Sequence, residues 1–205
     1  MDILEHGGKE MIEEMYKKAG ELHGHYCPGL AIGVRAAAEA LEILKPSKKA
    51  HNLCCIAENR ACYLDGIQMI FGTTMGNGNI ELRETGKTAF NFYDRATGRS
   101  VRLVAKVWPE NLSRDELTDY ILTAPLEAVF DQTEVHFEAP ADTFKRHKSI
   151  VCPRCGEACT EPFLRVVDGV VVCLDCAIAG RAAQGPCQRR HRLRIRIAFV
   201  SALLE

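Results

Sequence analysis

Two groups of cysteines stand at spacings suited to metal chemistry. Cys152-Pro153-Arg154-Cys155 and Cys173-Leu174-Asp175-Cys176 form two CxxC pairs separated by seventeen residues. A two-residue spacer lets a tight turn aim two thiolates at one ion, and Zn²⁺ takes four such ligands at tetrahedral corners. Cys152, Cys155, Cys173 and Cys176 are therefore expected to hold a structural zinc with a closed coordination shell. The competing reading is a set of buried thiols or a redox pair, but a redox CxxC needs no duplicate at this spacing. Cys159 falls outside the pair geometry, and Cys187 has no assigned role.

The second group is His23-Gly24-His25-Tyr26-Cys27-Pro28-Gly29. Cys27 precedes a proline suited to a first helical turn, so it stands at or beside a helix N-cap. Unpaired N–H groups and the positive end of the helix dipole favour a thiolate there. His23 and His25 offer imidazole ligands or a proton acceptor a few residues away. Farther on, Cys62, Asp65 and Gln68 recur at one-turn spacing on an expected helix, placing thiol, carboxylate and amide in a row. Spacing alone leaves two readings open: a shared polar site, or an ordinary turn followed by a solvent-facing helix edge. Cys54 and Cys55, inside the apolar run 53–57, are expected in the core. The glycines between Gly72 and Gly78 could turn backbone N–H groups toward an anion, without any fixed nucleotide fingerprint.

The elements that must position these residues follow from periodicity. Met11, Ile12, Met15, Tyr16, Ala19 and Leu22 predict an amphipathic helix. Leu30, Val34, Ala37, Leu41 and Leu44 predict another, opening at Pro28 and ending at Lys45-Pro46-Ser47. A short strand is expected at 53–57, and a helix from Cys62 to Phe71 stopped by Gly72. The period then falls to two: residues 89–93 and 101–107 predict a β-hairpin around Asp94–Gly98. Ser113 and Glu116 form a capping-box signature for a helix to about Leu122. A strand is expected at 134–138 and a linker at 139–149. Asp168-Gly169 between two valine-rich runs predicts a hairpin that returns the second CxxC pair to the first, with a short helix over 177–183. The expected fold is α+β: N-terminal helices packed on an antiparallel sheet (residues 1–140), a small treble-clef or zinc-ribbon module (150–183) and a basic tail (184–205).

Composition sets the limits. The 205 residues carry 26 Lys+Arg against 27 Asp+Glu and are 47% hydrophobic, enough for a core and too balanced for a polyelectrolyte or histone-like binder. The charge is uneven: residues 146–205 hold ten basic and five acidic side chains, residues 1–145 sixteen and twenty-two. The run Arg189, Arg190, Arg192, Arg194 and Arg196 would suit an acidic partner or nucleic-acid phosphates, or simply a solvated charged face. The first residues carry neither a basic n-region nor an apolar h-region, and no stretch reaches membrane-spanning length. A cytoplasmic location and reduced cysteines are expected.

Taken together, His23 to Gly29, Glu58-Asn59…Cys62…Asp65…Ile67-Gln68, Gly72 to Asn79 and Gly86-Lys87 resemble the formylmethanofuran dehydrogenase FmdE family. The four-cysteine finger is similar to one appended to some members. The resemblance covers about residues 10–108 and 150–180. It implies an α+β core that forms homodimers, with a groove where the His/Cys motif meets the Cys62–Asp65 helix. In that groove His23, Cys27, Cys62 and Asp65 would do any chemistry, His23, His25, Cys27 and Cys62 could hold a second zinc or another transition metal, and the aspartate could orient a ligand histidine or hold a water. In the namesake complex a molybdenum or tungsten enzyme fixes CO₂ as a formyl group, and that chemistry belongs to its other polypeptides. Family members commonly carry Gly-Cys-Thr where this chain has Gly72-Thr73-Thr74, which leaves the groove one thiol short.

The expected function is a metal-binding accessory or redox-linked component of an enzyme complex of several subunits, or an enzyme of unassigned reaction. One alternative is a zinc-finger adaptor that binds nucleic acid or a protein partner through its basic end. Another is a thiol-based transferase or hydrolase with Cys27 as nucleophile and His23 or His25 as base.

Overall fold

The computed structural model describes residues 8–46, 52–140 and 147–179. The chain divides into two compact units, residues 1–145 and 146–205. The basic run at 189–196, Cys187, the end of the helix expected over 177–183 and part of the expected linker lie outside the described residues.

The first unit opens with α1 (Gly8–His23) and α2 (Pro28–Leu44). Pro28 starts α2 where its missing N–H costs nothing, and Lys45 ends it in the left-handed region. The expected one-sided stripe on α2 understates its burial: every residue from Leu30 to Ala40 is buried, Arg35 and Glu39 included. A helix enclosed on all sides must be apolar all round or pair its charges internally. Arg35 does the latter, donating to Glu39 Oε1 at 2.8 Å and to the carbonyls of Ile121, Leu122 and Ala124. It thereby satisfies the otherwise orphaned end of α4 (Arg114–Thr123). That helix opens on the expected capping box of Ser113 and Glu116.

A five-stranded sheet of order β2-β1-β3-β4-β5 lies under the helices. Its strands are β1 (Leu53–Ala57), β2 (Ile80–Leu82), β3 (Ala89–Asp94), β4 (Arg99–Ala105) and β5 (Phe130–Thr133). Three pairings are antiparallel, as expected, whereas β1 and β2 run parallel because α3 (Tyr63–Phe71) crosses between them. The fold is α+β with a mixed sheet. Its main core joins Leu30, Val34, Ile67 and Phe71 of the helices to Leu53, Phe90, Phe92 and Leu103 of the sheet.

Residues 134–138 do not form the expected strand. The strand is the preceding β5, after a four-residue helix α5 (Leu126–Val129), neither of which the periodicity marked. Val135 and Phe137 instead cover Cys54, Ile56 and Tyr93 on the other face of the sheet, where the Tyr93 hydroxyl donates to the Phe137 carbonyl at 2.8 Å. Burial pushes the Cys54 thiol up to about 11 and the Cys55 thiol well above its ordinary value, so both are inert core sulfurs.

Glu58 follows β1 and is almost fully buried. Burial pushes its carboxyl up, but hydrogen bonds from Arg102, Asn91 and Thr85 outweigh it and hold the group at about 2. Arg102 grips it through Nε at 2.6 Å and Nη2 at 3.1 Å.

Among its described residues the second unit holds two hairpins, a 3-10 turn (Glu161–Phe163) and a short helix. β6 (Ser149–Val151) pairs with β7 (Ala158–Thr160), and β8 (Leu164–Val167) with β9 (Val170–Cys173). Asp168 and Gly169 both have positive φ (53° and 77°), the geometry a two-residue hairpin turn requires. α6 (Leu174–Ile178) leaves directly from β9 and begins three residues earlier than expected.

Candidate metal centre

The groove is built where the link between α1 and α2 meets the start of α3. His23 is the last residue of α1, and Gly24, at φ 86°, turns the chain out of the helix. Tyr26 folds back over Gly20, whose missing side chain leaves room for the ring; a Cβ there would stand 2.1 Å from it. The Tyr16 hydroxyl donates to the Cys27 carbonyl at 3.2 Å. Cys27 then caps α2, its sulfur accepting from the Leu30 N–H at 3.3 Å.

Cys62 stands just before α3 and is brought to Cys27 by an unusually close helix contact. A Cβ on Gly33 would lie 2.0 Å from the Tyr63 carbonyl oxygen, and one on Gly66 would lie 2.7 Å from the Val34 nitrogen. The backbones of α2 and α3 touch because both positions lack a side chain. Gly29 lies beside the sulfurs, where a Cβ would be tight only against Cys62 Cβ, at 3.2 Å, and in ordinary contact with the sulfurs of Cys62 and Cys27.

The outcome is a cluster in which ligand atoms of His23, His25, Cys27 and Cys62 all lie within 4.8 Å of one another. His23 Nε2 is 3.9 Å from Cys27 Sγ, and the two imidazole rings lie 4.3 Å apart. Cys27 is buried, His23 and Cys62 are half-buried, and His25 is exposed. Asp65 stands outside this set: its Oδ2 lies 2.6 Å from His23 Nδ1, the nitrogen facing away from the sulfurs. Burial, followed by the charge and hydrogen bond of the Cys27 sulfur and the charge of Asp65, pushes the Cys62 thiol up. Two sulfurs and a carboxylate this close repel as anions, and a cation among them removes that penalty.

Cys152, Cys155, Cys173 and Cys176 form the second such group, also within 4.8 Å. The Cys155–Cys173 sulfur separation of 3.8 Å matches the edge of a zinc–thiolate tetrahedron, about 3.8 Å for 2.3 Å bonds. Backbone N–H groups point at the sulfurs: Cys173 donates to Cys152 Sγ and Cys176 to Cys173 Sγ, each at 3.4 Å. Burial raises the Cys152 thiol, but backbone donors at Cys173, Cys155 and Arg154 outweigh it and bring the group to about 6. Cys176 is pushed the other way by burial and its neighbouring thiols. Cys159 lies outside the quartet, its sulfur directed to the Thr160 and Phe163 carbonyls.

Both donor sets can hold a metal ion. Two sulfurs with two imidazoles, and four sulfurs, are ligand sets that borderline divalent metals accept. Sequence reasoning missed the strictness of the helix contact at Gly33 and Gly66, which is a property of two helices and has no signature in either one. It also missed the Gln68 side chain as a bridge, donating to Asp65 Oδ1 at 3.4 Å and accepting from the Met75 N–H at 3.2 Å. Thr73 is fully buried. Among the described residues no helix is long and apolar enough to cross a membrane.

A mixed five-stranded sheet under helices, with a thiol–imidazole cluster at the junction of α1, α2 and α3 that could hold a metal ion, defines an α+β class of protein. The family described as FmdE, Molybdenum formylmethanofuran dehydrogenase operon, matches residues 22–131, and the chain belongs to that family. The crystal structure of an FmdE-like protein of the tungsten formylmethanofuran dehydrogenase type, from Syntrophus aciditrophicus, superimposes with a TM-score of 0.60 at 25% identity. The match covers 84% of this chain and 95% of that one. A probable S-adenosyl-L-methionine-binding protein of Archaeoglobus fulgidus is 29% identical over 140 residues, 66% of this chain. The chain spans only 36% of the length of that curated relative.

Proposed function

We propose that this protein binds two transition-metal ions, one in the groove of its core unit and one in its four-cysteine module. The observation that carries the reading is the convergence of His23, His25, Cys27 and Cys62 within 4.8 Å, with Asp65 against the far nitrogen of His23. A ligand histidine whose second nitrogen is held by a carboxylate is the usual companion of a bound metal. Zinc is the proposed ion at both places, since sulfur and imidazole ligands suit it. In the module four thiolates would close the shell, giving a structural treble-clef finger whose folding depends on the ion. In the groove the ion would supply Lewis acidity or hold a bound ligand, while the protein's side chains set its surroundings. Cys27 is fixed by its cap on α2, Cys62 by the α2–α3 contact, and His23 by Asp65.

As a member of this family the chain would act as a cytoplasmic accessory or redox-linked component of a larger enzyme assembly, and would itself be a homodimer. What supports this is the resemblance of its core to an FmdE-like protein. Elemental analysis of the purified full chain tests the metal reading. Two metals per chain are expected, falling to one in a Cys27→Ala/Cys62→Ala variant. A single metal in both proteins would remove the groove site and leave only the finger.

A further inference from the structure

We propose that Gln68 is a positioning residue for the groove metal, linking the glycine-rich turn after α3 through Asp65 to His23. This rests on the groove being a metal site. The argument is one of hydrogen-bond direction. The Met75 N–H can only donate, so Gln68 presents its carbonyl Oε1 to it, at 3.2 Å. With that end committed, the Gln68 NH₂ group faces Asp65 and donates to Oδ1 at 3.4 Å. The other Asp65 oxygen lies 2.6 Å from His23 Nδ1. A carboxylate only accepts, so the proton of His23 sits on Nδ1. Nε2 is left with its lone pair on the side of Cys27 Sγ, 3.9 Å away. The carboxylate thus determines which imidazole nitrogen is offered to the ion, and the Gln68 amide, its direction set by the Met75 N–H, holds that carboxylate in place.

The Asp65 side chain is 40% exposed, against 11% for His23, so packing does little to hold the carboxylate. Its orientation rests on its hydrogen bonds, and the bond from Gln68 comes from one turn along the same helix. The far end of the relay is firmly seated. Thr74 N–H donates to Asn79 Oδ1 at 2.7 Å, Asn77 N–H to Thr74 Oγ1 at 3.1 Å, and Gly78 N–H to the Met75 carbonyl at 3.1 Å. Asn79 is buried, and its carbonyl accepts from Cys55 of β1 at 3.0 Å. The relay therefore ties a ligand histidine at the end of α1 to the edge of the sheet. It also makes the turn over 74–79 a place where a contact would alter the metal site.

Cobalt(II) titration of the full chain tests this, followed by its visible d–d absorption, in wild type, Gln68→Leu, Asp65→Asn and the double variant. The finger takes up one ion in all four and serves as the internal reference. The expected result is a groove affinity weakened about tenfold by Gln68→Leu, the scale for residues that orient ligands, with an altered groove spectrum. No further loss should follow in the Asp65→Asn background, because the effect passes through that carboxylate. Gln68→Met keeps the side-chain length without its polar ends and should behave like Gln68→Leu, covering the case in which leucine impairs folding. Amide exchange at Met75 should also slow on filling the groove in wild type and not in Asp65→Asn. Equal groove affinity and spectrum in wild type and both Gln68 variants would overturn the proposal. So would a Gln68→Leu loss that persists undiminished beside Asp65→Asn. Uptake of only the finger ion by wild type would instead overturn the metal reading beneath it.

Discussion

His23 is the residue on which the groove turns, since its two nitrogens face different partners: Asp65 on one side, Cys27 on the other. Asp65→Asn is expected to weaken metal binding in the groove by about 10–100-fold while leaving the finger unchanged. Competition with a chromophoric chelator measures it. Glu58 carries a different kind of prediction. Its folded-state value of about 2 lies below the roughly 4.3 of an unfolded glutamate, so its stabilisation is present above pH ~4 and is lost as pH falls toward 2. Urea midpoints across that range should drop for wild type and change less for Glu58→Gln, which should be the less stable of the two at neutral pH. The ligand types and the one-turn spacing of Cys62, Asp65 and Gln68 were legible in the sequence. The resemblance implied that the aspartate could orient a ligand histidine; that the histidine is His23, forty-two positions away, was not legible, because it depends on how two helices meet.

At the scale of elements, the contact of α2 with α3 is what makes one groove of two distant motifs. Gly66→Ala places a methyl group against the α2 backbone, 2.7 Å from Val34 N and 2.8 Å from Leu30 O. It should cost about 1–3 kcal/mol, as overpacking does, and draw Cys62 away from Cys27. Thermal unfolding together with metal stoichiometry would show a less stable core that has lost its groove ion and kept the finger ion. Ser113→Ala, which removes the cap of α4, should cost about 1 kcal/mol and leave both ions in place. Helix ends were legible because Pro28, Lys45-Pro46 and Gly72 are chemically specific stops. The burial of α2 on every side was not: Arg35 and Glu39 look like surface charges until their partners, including the end of α4, are known. The strand at Phe130–Thr133 escaped notice because it sits at the sheet edge with three of its four residues exposed, and so lacks alternation.

At the scale of the whole molecule, the two units rest on different physics. The core unit buries a continuous set of aliphatic and aromatic side chains between helices and sheet. Among its described residues the cysteine module has little beyond its four sulfurs and Val172 in its interior. A strong chelator should therefore unfold the module while the core keeps its secondary structure, seen as amide exchange confined to residues 147–179. The hairpin at Asp168-Gly169 was legible as a turn, and its delivery of the second cysteine pair follows from that turn. The hairpin joining Ser149–Val151 to Ala158–Thr160 was hidden by its short strands. The measurement that bears most directly on the account is an anomalous-difference map from crystals of the full chain, collected at the zinc edge. It should show one peak within about 2.0–2.4 Å of His23 Nε2 and the sulfurs of Cys27 and Cys62, and a second among the four module sulfurs. A map with density only in the module, the groove sulfurs being ordered and bare, would contradict it.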